Sequence, residues 1–160
     1  KRLAQVCREI GKESTTNVKG SMTDWNMHKE DPDFMEVCRM AIALAHENAP
    51  DDPVAKSVEL IPWDCWGARY SKGDYAKIHN HWPMLWSWVY NVECCKYCSP
   101  LIFNDSFGVH SIQPKSGNMI LFPSGLQHYV PKQQCDHDRI IISGNITMNA
   151  GAYPHKINSN

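Results

Sequence analysis

The chain is 160 residues long, one domain's worth, and its 42 % hydrophobic content is enough to bury a core and exclude a wholly disordered protein. Sixteen Lys and Arg against seventeen Asp and Glu leave a net charge of −1, without the basic surplus that phosphate neutralisation on a nucleic acid needs. No apolar stretch approaches the roughly 18–20 residues of a membrane span, and no basic-then-apolar signal segment opens the chain.

The first third reads as helical. Residues 3–10 form a short helix, and residues 11–30 are polar and weakly patterned, which predicts a loop. Asp31-Pro32 is a helix start, a capping carboxylate followed by Pro at the first helical position. Phe34, Val37, Cys38, Ala41, Leu44 and Ala45 then recur at helical spacing, so one face of this helix packs on something. The run Ala49-Pro50-Asp51-Asp52-Pro53 ends it.

From Val54 onward, short runs rich in β-branched and aromatic residues alternate with turn signals. Strands are expected over 58–63, 65–70, 75–81, 85–93, 100–104, 109–113, 119–122, 128–131 and 139–147. Strands at this spacing predict a sandwich or barrel, and the preceding helices predict an α+β, mainly β arrangement with a helix on an outer sheet face. The helical part is 1–50, the β core 54–148, and 151–160 a loosely held tail, all within one domain spanning 1–160.

Seven Cys, an odd number, scatter along the chain, which fits a reducing compartment and free thiols better than a disulfide framework. Eight His make a metal site worth seeking. His79 and His81 stand in Ile78-His79-Asn80-His81-Trp82, and residues two apart on a strand share a face. His128 follows Phe122-Pro123-Ser124-Gly125-Leu126-Gln127. Arg139 opens the apolar run Arg139-Ile140-Ile141-Ile142-Ser143-Gly144-Asn145, in which Arg139, Ile141, Ser143 and Asn145 share a face. An Arg in such a strand calls for a buried anionic partner, because an unpaired buried charge costs several kcal/mol.

This order of His-x-His, a Gly-Asn turn, Leu-Phe-Pro leading to His128, and Arg139 with Ser143 further along its strand resembles the iron(II)/2-oxoglutarate dioxygenases. Within them it is most similar to the group related to prolyl hydroxylases, which includes small forms carried by marine cyanophages. The resemblance spans roughly 66–145 and is strongest over 117–145; the N-terminal third carries no matching motif. It implies a double-stranded β-helix, or jelly roll, with iron(II) at its open end and three coordination positions left for 2-oxoglutarate and O2. By the same resemblance, His79 and His128 are metal ligands, and Arg139 grips the far carboxylate of 2-oxoglutarate through its planar fork. Tyr70, Tyr90 and Ser143 fall where the family contacts its co-substrate, and Trp82 is the residue to line a substrate mouth.

The family's carboxylate stands two residues after the first His, and here that position is His81. Three outcomes are open: His81 completes a three-His site, His81 swings aside and Asp105 or a water takes the place, or the metal binds too weakly for turnover. Charge does not forbid the first, since iron(II) with neutral imidazoles carries +2 and 2-oxoglutarate −2. Halogenases of this family replace the carboxylate by a small residue that leaves room for chloride; His81 fills that room.

The remaining features read more plainly. His28, His46, His110, His137 and His155 match nothing and read as surface or satisfied histidines. Cys94-Cys95-Lys96-Tyr97-Cys98 contains a CxxC pair, half of a zinc site, but no second CxxC or spaced His pair completes it, so it reads as a loop of easily oxidised free thiols. A shallow substrate cleft is expected from the loops 71–74, 82–85 and 96–99. The resemblance implies a hydroxylase of a prolyl-like peptidyl side chain or a small amino-acid-type substrate, with O2 as co-substrate and no nucleic-acid or membrane partner. The location expected is cytoplasmic, that of the host cell if phage-encoded. Two alternatives stand beside it: a cupin-like three-His metal enzyme that does not use 2-oxoglutarate, and a non-catalytic jelly-roll binding module.

Overall fold

The computed structural model describes residues 1–149; the expected tail and His155 lie outside the described residues. Its helices are α1 (Arg2–Ile10), α2 (Met27–Glu30), α3 (Pro32–Glu47) and α4 (Pro53–Ser57). Its strands are β1 (Lys12–Thr15), β2 (Val18–Met22), β3 (Leu60–Tyr70), β4 (Tyr75–His79), β5 (Trp86–Glu93), β6 (Leu101–Asp105), β7 (Gly108–Ile112), β8 (Met119–Pro123), β9 (Gln127–Val130) and β10 (Arg139–Met148). They form one curled antiparallel sheet in the order β7-β6-β9-β4-β2-β3-β10-β5-β8, with β1 beside β2. This is the expected jelly roll, mainly β, with helices on its outside. Among the described residues, no helix is long and apolar enough to cross a membrane.

Alternation along β3, β5 and β10 divides the core in two. Cys65, Trp88, Ile140, Ile142 and Ile146 face the helices and pack with Ala4 and Cys7 of α1 and Phe34, Val37, Cys38, Ala41 and Ala45 of α3. Trp66, Ala68, Tyr70, Val89 and Ile141 face inward and pack with Phe122 of the neighbouring β8 and with Ala76, Leu101, Phe103 and Val130 of the opposite strands. Burying each large side chain contributes roughly 1.5–3 kcal/mol. Asp31 caps α3, accepting from the Asp33 amide at 2.9 Å while Arg2 of α1 donates to both of its oxygens. That carboxylate therefore ties the two helices together as well as starting one.

Several boundaries differ from the sequence reading. Residues 11–30 are not one loop but hold β1, β2 and α2. Only three residues of β2 turn inward (Val18, Gly20 and Met22), too short an alternation to stand out in a polar segment. The strands expected over 58–63 and 65–70 are a single strand, β3. Asp64 does not interrupt it, because its carboxylate accepts from the backbone and side-chain amides of Asn145 across the ladder. Residues 54–57 belong to α4 rather than to the β core. Strand β4 stops at His79, so His81 lies beyond it.

Candidate metal centre

β4 and β9 pair so that His79 and His128 are register partners. Their ring centroids stand 4.3 Å apart, and the His81 ring lies 5.0 Å from His79 and 5.1 Å from His128. His81 reaches this position from a bend rather than from period-two alternation: its amide donates to the Ser124 carbonyl at 2.8 Å, and its carbonyl accepts from the Met84 amide. One ring nitrogen from each of the three lies within 4.8 Å of the others. His79 and His81 are half-buried and His128 is buried. Phe122 meets the His128 ring edge-on at 4.8 Å and fixes its tilt.

The backbone also selects the tautomers. Nδ1 of His79 stands 2.6 Å from the Lys77 carbonyl, and Nδ1 of His128 stands 3.0 Å from the Leu126 carbonyl. A carbonyl only accepts, so each Nδ1 carries the proton and each Nε2 presents a lone pair. Burial lowers the pKa of all three rings, that of His81 to about 3 and that of His128 to about 4; for His81, the other two imidazoles add to the effect. They are thus neutral at physiological pH, the form that binds a metal.

The same cavity continues to Arg139. It is lined by His79, His81, His128, Tyr70, Ser143 and Arg139 among others, and encloses about 410 Å³ counting its open mouth. Arg139 is 1 % exposed and donates from Nη1 to the Ser99 carbonyl at 2.9 Å, while its Nε has no partner. Among the described residues no carboxylate bonds it, and its Cζ stands 6.0 Å from the Tyr70 ring centroid. A buried guanidinium with an unmet donor, facing a cavity with three neutral imidazoles at its other end, is matched to a ligand carrying a carboxylate. Ser143 turns its hydroxyl to the Trp88 carbonyl at 2.8 Å.

Two residues are not where the resemblance put them. Tyr90 points to the opposite face of β5 and packs with Trp88 and the helices, because β5 alternates and Val89 takes the inward position. Asp105 lies at the β6–β7 turn, where its carboxylate accepts from the Phe107 amide and pairs with His110 at 3.4 Å; the three-histidine cluster does not include it. Trp82 is 77 % exposed beside His81. Of the three loops expected to form the cleft, 71–74 and 96–99 instead converge on Gln133: Gly73 and Asp74 bond its backbone and Ser99 its side chain. Loop 96–99 meets Arg139 through the Ser99 carbonyl.

Residues 103–145, from within β6 to within β10, match the model of a family described as "Putative 2OG-Fe(II) oxygenase". That stretch contains His128 and Arg139. Over that stretch the chain is similar to the family. The three neutral imidazoles and the buried Arg139 are a donor set that suits a divalent metal and a carboxylate. Three solved structures show the same fold. A prolyl-4-hydroxylase from Pseudomonas putida superposes with a TM-score of 0.65 at 17 % identity, covering 91 % of this chain and 84 % of that one. A viral collagen prolyl hydroxylase from Paramecium Bursaria Chlorella virus-1, in complex with 2-oxoglutarate, gives 0.62 at 14 % identity over 90 % and 83 %. HygX from Streptomyces hygroscopicus, with nickel, 2-oxoglutarate and hygromycin B bound, gives 0.63 at 10 % identity over 92 % and 76 %. No curated protein matches the chain in sequence.

Sequence reasoning missed one further grouping. Cys135 and His137, read as unconnected loop residues, come beside Cys95 and Cys98. The signal was present only as a second short Cys-x-His pair, whose distance from the CxxC in sequence hid the relation.

Proposed function

We propose that this protein is a single-domain iron(II)- and 2-oxoglutarate-dependent oxygenase that hydroxylates a prolyl-like peptidyl side chain or a small amino-acid-type substrate. In this reading His79, His81 and His128 hold iron(II), while Arg139, Tyr70 and Ser143 line the seat of 2-oxoglutarate. The observation that carries it is the unmet Nε of a fully buried Arg139 in the cavity that also contains the three histidines.

When bound, iron(II) would activate O2, the oxidant, with 2-oxoglutarate giving up two electrons as it becomes succinate and CO2, so that one oxygen atom enters succinate and the other the substrate. The chain's own residues do the rest. The three imidazoles, neutral because they are buried, leave the metal its full double charge, which the 2-oxoglutarate dianion balances. Arg139 meets the far carboxylate with charge-assisted hydrogen bonds and so fixes the length and orientation of the co-substrate. Tyr70, Val89 and Ile141 keep water from the walls of that seat. Trp82 offers an exposed aromatic face beside His81, against which the ring of a prolyl residue packs.

The reading is tested by incubating the protein with iron(II), 2-oxoglutarate and O2, alone and with proline-containing peptides or free amino acids. Succinate is expected without substrate, and a peptide or amino-acid product heavier by one oxygen with it. Succinate with no oxidised peptide or amino acid would refute the substrate class; no succinate under any condition would refute the oxygenase reading for this chain.

A further inference from the structure

Outside the histidine site, the loop after β5 and the loop before β10 bring four soft or borderline metal ligands together. The sulfurs of Cys95, Cys98 and Cys135 form a triangle with every edge 3.7 Å. A ring nitrogen of His137 lies within 4.8 Å of the Cys95 and Cys98 sulfurs, while Cys135, outside that set, reaches His137 through its carbonyl at 3.5 Å. Cys94, the neighbouring thiol, turns away to Ser116.

The geometry points to a structural zinc site formed by Cys95, Cys98, Cys135 and His137. A tetrahedral zinc ion with Zn–S bonds of about 2.3 Å holds its sulfurs about 3.8 Å apart, which is the separation here. A disulfide would bring two of the sulfurs to about 2.05 Å and strand the third. An equilateral triangle of three thiols favours no pair. The sequence spacing, Cys-x-x-Cys and then Cys-x-His, supplies two short chelating turns from two different loops. The donor set of three sulfurs and one imidazole is that of a closed zinc site, and four protein ligands leave no position open for chemistry.

The surroundings suit thiolates. The Cys95 amide donates to the Cys98 sulfur at 3.3 Å, and Gln133 Nε2 donates to the Cys135 sulfur at 3.2 Å. On binding, three thiol protons leave, and the zinc with three thiolates and a neutral imidazole carries −1. Such a clip also has a position to hold. Ser99 directly follows Cys98, and its carbonyl is the acceptor for Arg139. Gln133 bridges Ser99 to Cys135 and to the His137 carbonyl. Zinc here would pin the loop whose Ser99 carbonyl holds Arg139.

The test separates this site from the histidine centre. The reduced full-length protein and its His79→Ala/His128→Ala variant are titrated anaerobically with cobalt(II). One equivalent showing intense thiolate-to-cobalt charge-transfer and tetrahedral ligand-field bands is expected in both, displaced by one equivalent of zinc. Cys135→Ser is expected to change those bands. Should the double variant fail to fold, the wild-type bands alone decide, because the histidine centre contains no sulfur. Absence of thiolate bands in the wild type, or a disulfide between two of these cysteines in protein prepared under reductant, would overturn the proposal. Neither result bears on succinate formation at the histidines.

Discussion

His79 and His128 are register partners on β4 and β9, and each donates its Nδ1 proton to the carbonyl two residues before it. The two strands thus set both the separation and the tautomer of the rings, and the proposed metal centre has two of its three ligands on the sheet rather than on loops. His81 joins them from a bend without such a bond. Removing partners that merely orient a ligand costs about 10- to 100-fold in metal affinity, so losing a ligand costs at least as much. His79→Ala and His128→Ala are therefore expected to weaken anaerobic iron(II) binding by on the order of 100-fold or more in calorimetry. His81→Ala is expected to weaken it less, and His81→Asp to retain it. Unchanged affinity in His128→Ala would remove that residue from the site.

Arg139 is expected to govern the co-substrate and not the metal. Losing two charge-assisted hydrogen bonds costs about 3 kcal/mol, on the order of a 100-fold rise in the dissociation constant for 2-oxoglutarate. Arg139→Lys keeps the charge but not the fork, and is expected to show most of that loss with iron(II) affinity intact. Equal 2-oxoglutarate affinity in the variant would favour a three-His enzyme of another class.

Gly144 sits where β10 crosses the buried Trp88. A Cβ there would meet the Asp64 carbonyl at 2.5 Å and the Trp88 ring at 2.6 Å, and neither is the free end of a flexible chain. Overpacking of this kind costs roughly 1–3 kcal/mol. Gly144→Ala is expected to lower the urea midpoint accordingly; a midpoint equal to wild type would mean that the β3–β10–β5 stack is looser than described.

Asp31 provides the pH dependence that the fold makes plainest. Its pKa lies below the ordinary value of 3.8, chiefly because Arg2 donates to it. A depressed carboxylate stabilises the fold fully above its unfolded pKa, and the contribution fades as pH falls through the lower folded value. Asp31→Asn keeps the cap but loses the ion pair with the half-exposed Arg2, and is thus expected to lose about 0.5 kcal/mol at neutral pH in thermal unfolding. The gap to wild type should close in strong acid. A gap that persists there would assign the loss to packing instead.

Much of this was readable in the residues themselves. Asp31-Pro32 announced α3, and alternation through Arg139, Ile141 and Ser143 placed all three on the cavity face. What escaped had physical causes. β2 is too short and polar to show a period, and Asp64 looks like a break unless Asn145 is known to lie opposite. Tyr90 carries the same β-favouring character on either face of β5, so only the register with Val89 decides its side. His81 follows period two in sequence but arrives by a bend. The Cys95, Cys98, Cys135 and His137 cluster depends on two loops meeting, which no local pattern encodes.

The central claim is that the three imidazoles and Arg139 serve one cavity that takes a metal and a dicarboxylate together. Its most direct test is the visible spectrum of the protein with iron(II) under anaerobic conditions, before and after addition of 2-oxoglutarate. A new visible charge-transfer band that appears only with both, and is lost in His128→Ala and in Arg139→Ala at matched concentrations, is the predicted result. A protein that binds iron(II) yet shows no such band at saturating 2-oxoglutarate would contradict the account.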